Sequence, residues 1–322
     1  MAGNDVRRAL VIGGGRMGTA HARAISACGQ FGARAAVVDP APSVRVRHAT
    51  GGAEVFAALG DVDLAAFDFA VVAAPSSQHL RISHALAGHH LAVLLEKPCG
   101  LDRSQYQSLA ALSTVARCRF RVGFWRRLCE PFRTLKDILT SGEIGTPRMV
   151  LACQWDAFIP ALATQPVDDT GGIGLDCGIH ETDTIAWLGL GSIDRLTMVA
   201  PTPHCSRVAA GDHDQLCAVA VTDRGVAASI SLSRTAGGID EIFYKVIGDA
   251  GSIELRLGDS ATIQIHRAGA VRELPALETD CIADALRQQV LAASGSAAGD
   301  GCATIDDVTA AAAPWLELRV TS

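Results

Sequence analysis

The sequence lacks the features that mark most non-globular classes. No apolar run approaches the ~18 to 20 residues a membrane helix needs. Charged residues are 19% of the chain against 49% hydrophobic ones, which excludes a disordered or solvating polymer. Lys and Arg number 28 against 34 Asp and Glu, so the net charge is −6 and the basic footprint of a nucleic-acid binder is missing. The ten cysteines show no C-x-x-C spacing and no Cys/His ligand framework. They predict small core thiols in a reducing compartment and no metal site. Met1 to Leu10 carries charges with no long apolar stretch behind it, so no secretory signal is expected. Repeats and long low-complexity linkers are absent too. The expectation is a soluble, cytoplasmic globular protein that engages neither nucleic acid nor membrane.

What is present reads as two domains, the prior for 322 residues. The first third alternates short apolar runs with helix-like segments. Ala9 to Ile12, Ala33 to Val38, Phe69 to Ala74, Leu91 to Leu95 and Arg119 to Val122 read as strands. Arg16 to Cys28, Gln78 to Gly88 and Asp102 to Ala116 read as helices, with Asp102 as an N-cap. Fully apolar strands between helices predict a parallel sheet covered on both faces. After Gly123 the pattern changes. Pro131 to Thr140 reads as a helix, Arg148 to Asp156 as a strand, and Pro160 to Gly174 as turn-rich. From Val208 to the region of Leu257, strand-like runs follow one another without helices, which predicts an antiparallel or mixed sheet. Asp280 to Ala293 and Asp306 to Leu316 read as closing helices, with a flexible loop from Gly295 to Gly301. The expected domains are residues 1–122 and 123–322.

Gly13-Gly14-Gly15-Arg16-Met17-Gly18 follows the first strand, opens the first helix and fits G-x-G-x-x-G. Gly13 allows the tight turn, Gly15 a close approach to a pyrophosphate, and Gly18 tight packing of helix on sheet. The helix N-terminus offers open N–H groups to phosphates. Asp39 ends the next strand, about 20 residues on, where a carboxylate accepts from ribose hydroxyls and repels a 2′-phosphate. With Pro40 next and no adjacent arginine, NAD is expected over NADP.

Two further clusters lie far apart in the chain. Glu96-Lys97-Pro98 ends the strand Leu91 to Leu95, and ligands in open α/β sheets bind at the carboxyl ends of the strands. Lys97 is either a solvated strand-end charge or a fixed cation for developing negative charge on a substrate oxygen. Gly171 to Asp183 reads GGIGLDCGIHETD. If Leu175 to Leu188 is one α-helix, Asp176, His180 and Asp183 share a face. That stripe is either a site or a satisfied core histidine with a capping Asp. No Y-x-x-x-K and no zinc-ligand spacing occurs, so the short-chain and medium-chain dehydrogenase patterns both fail.

Taken together, Gly13 to Gly18, Asp39, Pro75 to His79, Glu96-Lys97-Pro98, Gly123 to Arg127 and Gly171 to Asp183 resemble the Gfo/Idh/MocA oxidoreductases, over nearly the whole chain. Within that family the sequence looks most like the inositol dehydrogenases. The resemblance implies an N-terminal Rossmann domain, a doubly wound parallel sheet, joined to a C-terminal α+β domain with a large open mixed sheet. It implies hydride transfer between NAD and a hydroxyl or keto carbon of a cyclitol or sugar, and a homodimer or homotetramer. It also implies roles. Lys97 bonds the reacting oxygen, His180 is the general acid or base, Asp176 orients the site, and Asp183, Arg127 and Asp156 line the substrate pocket. Ala74, Pro75, Ser76, His79 and Glu96 join Gly13 to Gly18 and Asp39 on the cofactor side. Ser76 stands where the family often has Asn, and Asp240-Glu241 where inositol dehydrogenases tend to have Tyr-Asp. These departures leave room for a ketoreductase acting on an activated or antibiotic-pathway sugar. An NAD-dependent glycosidase is a further enzyme reading, and a nucleotide-sensing regulator on the same fold is a non-enzymatic one, against which the set Lys97, Asp176 and His180 argues.

Overall fold

A computed structural model describes residues 7–32, 34–157, 167–201, 212–238, 240–275, 281–295 and 301–317. The N-terminal residues 1–6, the expected turns over 160–166, the strand start at Val208 and the loop interior 296–300 lie outside the described residues. The chain divides into two compact units.

The first unit is built on six strands: β1 (Ala9–Ile12), β2 (Ala36–Val38), β3 (Val55–Phe56), β4 (Phe69–Val72), β5 (Ala92–Leu95) and β6 (Phe120–Val122). They pair in the order β3-β2-β1-β4-β5-β6, every pair parallel. Leu10, Val11, Val71 and Leu94 are fully buried, as strands covered on both faces must be. The order reverses between β1 and β4, and that switch point opens a crevice at the carboxyl ends of the strands. Helix α1 (Arg16–Ala27) follows β1, α2 (Pro42–Thr50) follows β2, and α3 (His79–Ala87) follows β4.

Three local expectations change. The helix foreseen from Asp102 to Ala116 is two, α4 (Arg103–Ala110) and α5 (Thr114–Arg117). Asp102 caps the first as expected, and Ser113 restarts the second by accepting from the Ala116 N–H at 3.2 Å. Helix α2 gives no amphipathic signal in the sequence, because it buries no residue and so lacks an apolar stripe. The unit also ends at Leu128 rather than 122, and it recovers Cys281–Asp306 from the far end of the chain. The reason is packing. Leu286, Val290 and Ala293 of the helix Cys281–Ala293 join Val11, Ile25 and Val71 in one apolar core. An antiparallel bridge then ties Val122 to Ala303.

The second unit covers Cys129–Asp280 and Asp307 onward. Its sheet has eight strands: β7 (Pro147–Ala157), β8 (Thr197–Val199), β9 (Gln215–Val221), β10 (Ala227–Ala236), β11 (Glu241–Gly248), β12 (Ser252–Leu257), β13 (Ala261–Arg267) and β14 (Ala270–Glu273). The order is β14-β13-β12-β11-β7-β10-β9-β8. Only β7 and β10 run parallel, which makes the sheet mixed, as expected. Burial alternates along each long strand: Val150 and Ala152, Ala228, Ile230 and Leu232, and Ile242, Tyr244 and Val246 face the core. Phe132 and Leu135 of the helix Glu130–Thr140 are fully buried in this unit, and the Phe132 ring meets that of Tyr244 edge-on. Val199, Val219, Val221 and Met149 lie exposed on the opposite face.

Candidate functional site

In the first unit, the glycine turn has the shape its spacing predicts. Gly13 sits at φ +97°, and a Cβ there would lie 2.5 Å from the Ala74 nitrogen. A Cβ on Gly18 would lie 1.8 Å from the Gly13 carbonyl oxygen, so only glycine lets α1 start this close to β1. A Cβ on Gly15 would meet nothing within 4 Å. Gly15 caps α1, no side chain caps the helix, and no acidic residue stands in its first turn. The first-turn residues Arg16, Met17 and Gly18 thus open a helix with no side-chain cap and no acidic group, a terminus that fits the pyrophosphate of a dinucleotide. Asp39 stands at the end of β2 with Oδ2 accepting from the Gly14 N–H at 2.8 Å and Oδ1 from the Ala41 N–H at 2.9 Å. Its carboxylate is therefore fixed beside the glycine turn.

The loops after β4 and β5 are braced by two buried histidines. His21, on α1, places Nε2 2.6 Å from Oε1 of Glu96, and both side chains are buried. Oε2 of Glu96 accepts from the Lys97 N–H at 3.2 Å. Burial alone raises the Glu96 carboxyl. The His21 hydrogen bond and charge, with Lys97 and His79 nearby, outweigh it and hold the group below its usual value. His79 opens α3, its ring nitrogens each 2.8 Å from a carbonyl oxygen, Pro98 on one side and Ala74 on the other. Burial pushes the His79 ring down, against the pull of those two carbonyls and Glu96. Glu96 and His79, expected at the cofactor, thus hold the backbone on either side of half-buried Lys97 and reach back to the Ala74-Pro75-Ser76 loop. His21 escaped sequence reasoning, since nothing local to it announces a partner 75 residues away. Arg127 lies in a 3-10 turn, Trp125–Leu128, and is buried.

In the second unit, the expected helix from Leu175 begins instead as a π-helical turn, Gly174–Gly178, and becomes α-helical over Ile179–Trp187. The single α-helical stripe of Asp176, His180 and Asp183 is therefore corrected. His180 and Asp183 are buried on the α-helical part, while Asp176 sits on the wider turn with its side chain 35% exposed. The turn is packed by Trp315, whose ring leaves no room for a Cβ on Gly178, 2.4 Å from Cζ2. The Trp315 indole N–H donates to Thr182 Oγ1 at 3.1 Å, and that hydroxyl donates to the Ala311 carbonyl at 2.7 Å. Glu181, fully buried, accepts from the Tyr244 hydroxyl and so ties the helix to β11.

Asp156 and Asp176 are brought to one cluster. Asp156, near the end of β7, accepts from Gln154 Nε2 at 2.9 Å and from the Cys177 thiol at 3.5 Å. Burial pushes its carboxyl up; Gln154 and Cys177 oppose this and the neighbouring Asp240 and Asp176 add to it. Arg234, which no motif signalled, donates Nη2 to Asp176 Oδ2 at 3.0 Å and Nη1 to Asp212. Asp212 in turn accepts from the Ile173 and His213 N–H groups, each at 2.8 Å. No group of three or more His, Cys, Asp or Glu side chains among the described residues is set to hold a metal ion. No helix among them is long and apolar enough to cross a membrane.

Fold and glycine turn define the class: a protein built on a dinucleotide-binding Rossmann sheet. Residues 7–124 match the oxidoreductase family model for an NAD-binding Rossmann fold, and residues 132–254 match the Gfo/Idh/MocA C-terminal domain. The chain belongs to the Gfo/Idh/MocA family, and its first unit is an NAD-binding domain. It is 28% identical over 247 residues to the rhizopine catabolism protein MocA of Rhizobium meliloti, covering 76% of this chain and 77% of that one. It is 30% identical over 270 residues to an inositol 2-dehydrogenase of Rhizobium meliloti strain 1021, covering 78% and 79%. An oxidoreductase from Agrobacterium radiobacter, solved with NAD+, L-tartaric acid and magnesium, shares the fold. Its TM-score is 0.80 at 18% identity, over 96% of this chain and 94% of that one.

Proposed function

We propose that this protein is an NAD-dependent dehydrogenase acting on a ring hydroxyl of a cyclitol or related polyol. The observation that carries the reading is 30% identity over 270 residues to an inositol 2-dehydrogenase, in a chain with Lys97 at the end of β5 and Asp176 and His180 in the segment that carries the resemblance. Bound NAD supplies the hydride acceptor. The residues that would hold it are Gly13 to Gly18 at the pyrophosphate and Asp39 at the adenosine ribose. Lys97 donates a hydrogen bond to the substrate oxygen as negative charge develops on it. His180 takes the hydroxyl proton, the general-base role that a positioned imidazole can fill. Asp176 orients the reacting group, and Asp183, Arg127 and Asp156 bind neighbouring hydroxyls. The exposed valines of β8 and β9 favour association of two or four copies through the open sheet face. A reducing cytoplasm suits ten cysteines without C-x-x-C spacing.

The test is a panel of inositols, linear polyols, sugars and keto-sugars, read by NADH absorbance with NAD and NADP in parallel. Turnover of a cyclitol with NAD is the expected result. Turnover confined to reduction of keto-sugars would replace this reading with the ketoreductase one. Lys97→Ala and His180→Ala should each lower kcat by about 10²-fold or more while NAD affinity holds. Near-normal turnover of folded His180→Ala removes His180 from the chemistry.

A further inference from the structure

The core-facing rows of the two central strands turn polar at the same end. On β10 the row runs Ala228, Ile230, Leu232 and then Arg234; on β7 it runs Val150, Ala152, Gln154 and then Asp156. The strands are parallel, with Leu232 opposite Gln154, so Arg234 and Asp156 arrive at one edge. There β10 slips register between Ser233 and Ala236, an irregularity of the kind that aims a side chain at a site.

Arg234 is mostly buried, its side chain 10% exposed, between Asp212 at 3% and Asp176 at 35%. One guanidinium nitrogen holds Asp212, the other holds Asp176, and the Cys177 thiol also bonds to the group. Burial pulls Arg234 down, but Cys177, Asp176 and Asp212 overcome this and hold it above its ordinary value, so it stays charged. Asp212 fixes the start of the turn through the Ile173 N–H, and a Cβ on Gly172 would lie 2.9 Å from its Oδ1. A closed circuit results: β10 to Asp212, Asp212 to Gly172-Ile173, the π-helical turn to Asp176, and Asp176 back to β10. A rigid planar fork spans two carboxylates in a way a lysine does not.

We propose that Arg234 is the positioning residue for Asp176, setting the orientation of its carboxylate directly and that of Asp156 through Cys177. This rests on the proposed dehydrogenase reading, in which Asp176 orients the reacting group. Arg234 acts through its neighbours, and no step of the chemistry is assigned to it.

The experiment compares Arg234→Gln, Arg234→Lys, Asp176→Asn and the double variant Asp176→Asn/Arg234→Gln, with myo-inositol and NAD. It measures kcat and KM separately and NAD affinity on the same samples. Arg234→Gln should lower kcat about 10- to 100-fold, the scale of a misplaced site group, with NAD affinity within about twofold. Arg234→Lys should recover part of the loss, and the double variant should be no slower than the slower single one. Unchanged kcat and KM in Arg234→Gln, or losses that multiply in the double variant, overturn the proposal. If Arg234→Gln does not fold, Arg234→Lys and its double variant with Asp176→Asn answer the same question. Normal turnover in Asp176→Asn refutes the functional reading instead and leaves this circuit to a second readout. That readout is carboxyl NMR of the unliganded protein, with Asp176 assigned by its Asn variant. The charged and titratable groups about Asp176 in this unit include, among the described residues, Arg234, Asp212, Cys177 and Asp156, with Asp240 beside Asp156. Its titration midpoint should rise by about one pH unit or more in Arg234→Gln. An unmoved midpoint overturns the proposal whatever the substrate.

Discussion

Removing the imidazole of His21 asks how firmly Glu96 and the Lys97 backbone are held. His21 is 0% and Glu96 6% exposed, with Nε2 2.6 Å from Oε1. His21→Ala strands a buried carboxylate, a change that costs about 3–5 kcal/mol. In a unit of this size each kcal/mol moves Tm by about 2–4 °C, so unfolding of the first unit should shift down by roughly 6–20 °C. Glu96→Gln alone should cost less, and the double variant should cost at least about 1 kcal/mol less than the sum, because the stranded charge is gone. The pH dependence has a defined sign. In the intact protein Glu96 lies below its usual value, so its contribution is present above that usual value and is lost as pH falls through the lowered one. In His21→Ala burial remains while the main opposing cause is removed, so the carboxyl rises. Stability then declines as pH climbs through the raised value. The Tm gap between the two proteins should therefore widen from about pH 5 to about pH 7. Scanning calorimetry of the NAD-free proteins reads both effects. Additive losses, or a gap that does not change with pH, would refute the buried pair as the brace.

Asp39→Ser should weaken NAD and strengthen NADP, shifting their affinity ratio by about 10-fold or more, since the like charge facing a 2′-phosphate is gone; fluorescence titration of both cofactors checks it. Gly18→Ala puts a Cβ 1.8 Å from the Gly13 carbonyl oxygen, so NAD binding should be lost or the unit destabilised. Calorimetric titration that finds unchanged NAD affinity in a normally stable variant contradicts that geometry. Asp156 is raised first by burial, so its charged form costs stability at pH above its folded value. Asp156→Asn should raise Tm near neutrality, with the gain fading in acid, and should raise KM for the polyol; a lower Tm at neutral pH sinks the argument.

What the sequence discloses here is what is local, and what it hides is what tertiary packing creates. Gly13 to Gly18 and Asp39 are legible because a turn, a helix start and a strand end follow from neighbouring residues. Lys97 is legible for the same reason, as a charge at the end of an apolar strand. The π-helical turn is not, because GLDCG reads as one turn of an ordinary helix until Trp315 claims the space above Gly178. Nor is the return of Cys281–Ala293 to the first unit, since its apolar stripe fits either core equally well in one dimension. His21 and Asp212 are silent for a stricter reason: each is defined only by a partner, and no period or spacing names it. Arg234 differs from both. The alternation Ala228, Ile230, Leu232 places position 234 on the core side, and an arginine on a core row is costly unless it is paired. That conflict between period and charge is visible in the sequence, and Asp156 repeats it on the neighbouring parallel strand. Each conflict marks a residue that needs a buried partner, and the parallel pairing of β7 with β10, which only the structure supplies, brings the two to the same end. The cluster forms here through Cys177 and Asp176, residues of the segment Gly171 to Asp183. A broken alternation ending in charge is therefore a sign of buried pairing that needs no motif.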